Sequence, residues 1–146
     1  PQGRADGAGT VRATLGEDHG AGRWSAVVVL TAPDGSERTT GPRHLHIAPR
    51  ITSDLPLSAA RDRSGGVTLT VECAPAVRPG QRAELLVADL PVPAEPFARA
   101  TRKLKFRVTG ARPGRYPLRL RVDGVDSPLT DERAERFDAD ATVVIT

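Results

Sequence analysis

Three histidines, one cysteine and a late cluster of acids are the side chains in this sequence best suited to holding a metal or moving a proton. His44 and His46 alternate about Leu45. On a strand that spacing sets both imidazoles on one face, where they can share a metal ion. No Cys, His or carboxylate cluster lies near them in sequence, and the pair therefore reads as a solvated face, as does His19. Asp131, Glu132, Asp138 and Asp140 supply the hard oxygens that Ca²⁺ prefers. Their spacing fits no calcium loop. Cys73 closes the alternating run Val67, Leu69, Val71 and falls on its apolar side, which marks a buried structural thiol rather than a nucleophile. No serine sits in a Gly-x-Ser-x-Gly elbow, and no glycine-rich phosphate loop leads into a helix. These residue types in this order point to no catalytic set, no metal and no cofactor. The expectation is a non-enzymatic binding or structural module.

Charge is the other candidate for function. The chain carries 21 Lys/Arg and 18 Asp/Glu, a net charge of +3. Nine of the bases lie between Arg99 and Arg121 without one acid, and six acids against two bases follow from Asp126 to Asp140. Lys103, Lys105 and Arg107 alternate with Leu104, Phe106 and Val108, and Arg119 and Arg121 alternate with Leu118, Leu120 and Val122. Period two predicts that all five cations point outward from strands. Such rows keep a sheet from pairing edge to edge. They also form a candidate basic face (Lys103, Lys105, Arg107, Arg119, Arg121) for an acidic protein surface, either in a neighbouring copy or in the Asp126–Asp140 segment of the same molecule. Aromatics make up only 3% of the chain, which counts against nucleic acid.

The elements that must carry these residues are strands. Gly114-Arg-Tyr-Pro-Leu-Arg-Leu-Arg-Val122 alternates and then turns at Asp123-Gly124, a dipeptide that accepts positive φ. The return begins at Val125 and runs towards Leu129. Gly22-Arg-Trp24 followed by a valine-rich strand and Asp34-Gly35 repeats this design, with Gly-Arg-aromatic recurring at an offset of 92 (114 − 22). The valine run predicts a strand covered on both faces. Val11, Ala13 and Leu15 mark a short earlier strand. Further strands are expected near 50–57, broken by Pro56, and at 67–73, 82–87, 103–108 and 141–146. Leu90 to Pro96 holds three prolines and must be an edge or a crossover. Thr130 to Asp138 is expected as one helical turn or a loop. The fold class expected is all-β: an immunoglobulin-like sandwich over residues 49–146, preceded at residues 1–48 by the C-terminal strands of an incomplete second one. Such strands cannot bury a core alone, so their open edge should need a partner.

The chain opens on Pro1 and contains no Met, from which a piece of a longer product is expected. A lone Cys permits no internal disulfide and favours a reducing compartment. No stretch approaches the roughly 20 apolar residues of a membrane helix. Abundant Arg, Ala, Gly and Pro with no Asn suggests a GC-rich bacterial gene.

Several phrases together carry a resemblance: Glu37-Arg-Thr-Thr-Gly41, Ile47-Ala-Pro-Arg-Ile-Thr52, Cys73-Ala-Pro-Ala-Val-Arg-Pro-Gly-Gln-Arg82, Val92-Pro-Ala-Glu-Pro-Phe97 and Arg119-Leu-Arg-Val-Asp-Gly-Val-Asp-Ser-Pro-Leu129. Across residues 22–146 the chain resembles the C-terminal immunoglobulin-like region of the cap, or tail-terminator, proteins of bacterial contractile injection systems. The resemblance implies a structural component of a phage-tail-like particle. Its partners would be cap, sheath or tube subunits, within a homo-oligomeric ring assembled in the bacterial cytoplasm. It transfers no catalytic residue. The alternative is an immunoglobulin-like spacer or adhesion module of a secreted protein or carbohydrate-active enzyme, which would be extracellular.

Overall fold

The computed structural model describes residues 4–5, 10–16, 19–128, 130–131, 136–137 and 139–146. Arg4–Ala5 (β1) and Val11–Arg12 (β2) form a two-residue ladder. The early strand expected from Val11 to Leu15 is therefore confined to its first two residues. Gly22–Ala26 (β3), Val29–Thr31 (β4), Glu37–Thr39 (β5) and Arg43–Ile47 (β6) build one long hairpin arm. The sandwich strands are Arg50–Ile51 (β7), Leu57–Ala59 (β8), Val67–Val77 (β9), Ala83–Val87 (β10), Leu90–Pro93 (β11), Thr101–Val108 (β12), Gly114–Val122 (β13) and Val125–Asp126 (β14). Thr130–Asp131 (β15) pairs with Arg136–Phe137 (β16), and Thr142–Ile145 (β17) ends the fold. Of the stretch expected as a helical turn or loop, 130–131 and 136–137 are thus strand, and 132–135 and 138 lie outside the described residues.

No helix occurs among the described residues, and the protein is an all-β sandwich. One sheet runs β12-β9-β7 and the other β11-β10-β13-β17-β8, with β14 beside β13. The chain crosses between sheets after β7, β8, β9, β11 and β12, and β8 lies parallel to β17. This is the Greek-key wiring of immunoglobulin-like folds. The broken strand expected around Pro56 proves to be two short strands in different sheets, β7 on β9 and β8 on β17. The proline-rich segment is β11, an edge strand, where a missing N–H goes unused.

The alternation read from sequence explains the core. Leu69, Val71 and Cys73 of β9 and Leu104, Phe106 and Val108 of β12 face Leu85 of β10 and Leu118, Leu120 and Val122 of β13, all buried. Each large aliphatic side chain so buried is worth about 1.5–3 kcal/mol relative to exposure. The β13–β14 hairpin turns on Asp123 (φ +48°) and Gly124 (φ +78°), the two consecutive positive φ values of a type I′ turn.

Candidate interaction surfaces

Three surfaces leave the sandwich: the outer face of each sheet and the arm. On the smaller sheet, burial of Leu104, Phe106 and Val108 forces Lys103, Lys105 and Arg107 outward, and all three are exposed. Cross-strand register sets them opposite Glu72, Thr70 and Thr68. Lys103 Nζ lies 3.3 Å from Glu72 Oε1. Arg107 pairs with Asp62 and donates to Thr68 Oγ1 at 3.1 Å and to Ser64 Oγ at 3.2 Å. Asp62 also accepts from the Ser64 hydroxyl and from the Ser64 and Gly66 amides, tying off the 62–66 turn. The Ser64 hydroxyl first, and the Arg107 guanidinium next, hold its carboxyl well below the usual carboxylate range. Lys105 has no ion-pair partner among the described residues.

On the larger sheet, Arg119 and Arg121 face away from the core beside Leu86 and Glu84 of β10. Arg121 Nε lies 2.5 Å from Asp126 Oδ1, and its Nη2 lies 3.0 Å from Oδ2. Arg119 reaches the same carboxylate at 3.4 Å and Asp89 at 3.3 Å. The hydrogen bonds from Arg121 lower the Asp126 pKa, and that carboxylate in turn raises the Arg121 pKa. Arg82 Nη2 sits 2.7 Å from Glu84 Oε1.

The five cations thus do not share one face. Lys103, Lys105 and Arg107 stand on the outside of one sheet and Arg119 and Arg121 on the outside of the other, with the core between them. Sequence distance hides this, because β12 and β13 are consecutive strands that belong to different sheets. Asp126 is neutralised within its own molecule. Of the remaining acids, Asp131 is described only in its backbone, Glu132, Glu135 and Asp138 lie outside the described residues, and Asp140 is exposed. His44 and His46 are exposed on β6 opposite Ser25 and Arg23. Cys73 is fully buried, and that burial pushes its thiol up to about 11.

The arm was only partly legible. Its turn matches the expectation, but its strand breaks at Val27-Val28 into β3 and β4, and Val27, Val29 and Leu30 are 53%, 48% and 54% exposed rather than covered on both faces. Its root is fixed to the sandwich. Gln81 Nε2 donates to the Ala21 carbonyl at 2.8 Å and to Asp123 Oδ2 at 2.7 Å. Asp123 Oδ1 accepts from the Arg82 amide at 2.9 Å. Ala21 is fully buried in the core cluster, and Pro49 is fully buried on the other limb. Gly22 adopts φ +123°, and a Cβ there would stand 3.1 Å from Asp123 Oδ2. Only glycine fits this close approach without strain.

A second feature is common to the arm and the sandwich. Tyr116 Oη donates to the Arg112 carbonyl at 3.1 Å, a tyrosine corner. Trp24 Nε1 donates to the Gly20 carbonyl at 2.9 Å, again four residues upstream. Both aromatics follow a glycine of positive φ by two residues. Gly22 pairs with Ile47 and Trp24 with Leu45, as Gly114 pairs with Ile145 and Tyr116 with Val143. The Gly-Arg-aromatic repeat seen in sequence is therefore also a repeat of geometry. The corner itself was missed from sequence, although Arg112-Pro-Gly-x-Tyr116 just before a strand was the available signal.

Fold and corner define an immunoglobulin-like β-sandwich protein. Residues 49–144 match the model of a domain of unknown function, DUF8756, and the chain belongs to that family. No curated protein matches the chain.

Proposed function

We propose that this chain is a non-enzymatic structural and interaction module, akin to the appended immunoglobulin-like region of a contractile injection system cap protein. The observation that carries the reading is the fixed joint: Gln81, Asp123, Ala21 and Gly22 hold an exposed apolar arm at a set angle to a complete sandwich. A rigid pair of β units suits a part that fixes distances between subunits. An interface through Val27, Val29 and Leu30 would bury surface that is otherwise left to water. The sequence phrases from Glu37 to Leu129 supply the resemblance to cap proteins. On this reading its partners are cap, sheath or tube subunits within a homo-oligomeric ring, and the particle assembles in the bacterial cytoplasm.

The test is co-sedimentation of the purified chain with purified cap, sheath and tube subunits of a tail-like particle from the same cell. Co-migration with one of them that is lost in Val29→Lys/Leu30→Lys supports the proposal. A chain that stays at the top of the gradient in every mixture refutes it and leaves the spacer reading.

A further inference from the structure

We infer that the outer edge of β3–β4 receives an antiparallel strand that is apolar on both faces, in the position that β10 holds against β13. The inference rests on reading the arm as part of a second sandwich. The shared corner and register make β3–β4 the counterpart of β13 and β6 the counterpart of β17. In the complete sandwich, β13 keeps β17 on one side and β10 on the other, with Leu118, Leu120 and Val122 opposite Val87, Leu85 and Ala83. In the arm the β17-like side is filled, and β3 and β4 ladder only with β6 and β5 among the described residues.

The two outer edges of the arm are built differently. The β5–β6 edge carries Glu37, Arg38, Arg43, His44 and His46. It also takes up the one-residue slip between the two ladders in Thr40-Gly41-Pro42, and Pro42 has no N–H to offer. Charge, proline and a bulge are the devices by which proteins block an edge. From Trp24 to Thr31 the other edge has no charge and no proline. An arm protected on one side and bare on the other is shaped to take one strand on its bare side.

The offset of 92 gives the chemistry of that strand. Ala26, Val28 and Leu30 stand where β13 has Leu118, Leu120 and Val122, so its inward residues must be small or aliphatic. Val27 and Val29 stand where β13 has Arg119 and Arg121. β10 answers those arginines with Leu86 and Glu84. The arriving strand therefore needs an apolar residue at the position equivalent to Glu84, since a carboxylate there would be desolvated without a cation.

The test joins a second copy of residues 81–88, carrying Glu84→Val, to the N-terminus of the full chain through a long Gly/Ser linker. Linking makes docking intramolecular and removes the weakness of a free peptide. Amide exchange between Trp24 and Thr31 should slow by roughly 10–100-fold as those groups enter a ladder, and Trp24 emission should shift to the blue. The fused copy that keeps Glu84 should protect less. Val29→Lys/Leu30→Lys, at two exposed positions, should abolish protection while the unfused arm keeps its own ladder. Exchange equal to that of the unfused chain overturns the inference, and equal protection by both copies overturns the chemistry assigned to the strand. Protection already present in the unfused chain, with a mass that rises with concentration, makes a second copy the occupant and overturns it as well. None of these readouts involves particle subunits, so failure here is separate from failure of the proposed function.

Discussion

Leu120→Ala is the sharpest probe of the register. Leu120 is fully buried on β13, directly opposite the equally buried Leu85. Phe106 and Leu104 of the facing sheet belong to the same core cluster. Truncation removes three carbons' worth of burial and leaves a hole. The backbone on either side has little room to collapse into it. Leu120 N donates to Ser127 Oγ at 3.0 Å, and Ser127 N donates to the Leu120 carbonyl at 2.7 Å. Poor collapse places the cost in the upper part of the measured range for such changes, about 3–5 kcal/mol. A domain of this size is stable by only about 5–15 kcal/mol, so the effect is a large share of the whole. The urea midpoint should fall by about 1–3 M at a typical slope, with the slope unchanged. Far-UV circular dichroism is the appropriate signal, because the sole tryptophan lies in the arm rather than the core. A midpoint that barely moves would refute the reasoning, since a slip of one residue would turn Leu120 outward and bury Arg119 and Arg121.

Gly124→Val puts a β-branched residue at φ +78° and should cost about 1–3 kcal/mol by chemical denaturation; the Arg23 guanidinium above Gly124 can swing aside, so the strain is in the backbone. Asp62 and Asp126 have lowered carboxyl pKa values, so each binds fewer protons folded than unfolded. Their stabilisation is whole above the unfolded carboxyl pKa of about 3.9 and is lost as pH falls below it, and Asp126→Asn should flatten that acid limb in thermal melts. Lys105→Glu should leave the melting temperature nearly unchanged, whereas Arg107→Glu sets like charges against Asp62 and should loosen the 62–66 turn, read as faster amide exchange at Ser64 and Gly66. Cys73 should resist alkylation at neutral pH until the sandwich unfolds, because its thiol is buried and titrates near 11.

Period-two alternation decided much by itself. Val67 to Cys73, Lys103 to Val108 and Tyr116 to Val122 could face a core in only one register, because shifting any of them by one residue would bury its cations or hydroxyls. Asp123-Gly124 fixed a hairpin because its φ values are a local matter. Which strands share a sheet is not local. Nothing near Lys103 or Arg119 in sequence tells that β12 and β13 lie on opposite layers, and that placement is what divides the five cations between two faces. Asp126 was within view as a partner, but two others were hidden for the same reason: Asp62 reaches Arg107 across 45 residues, and Asp89 reaches Arg119 across 30. The valine-rich stretch read as one strand is strand on either side of a break at Val27-Val28, and a pattern reports only what a strand would bury if it were covered. Coverage depends on which strands stand beside it, and among the described residues β3 and β4 ladder only with β6 and β5, which leaves Val27, Val29 and Leu30 exposed.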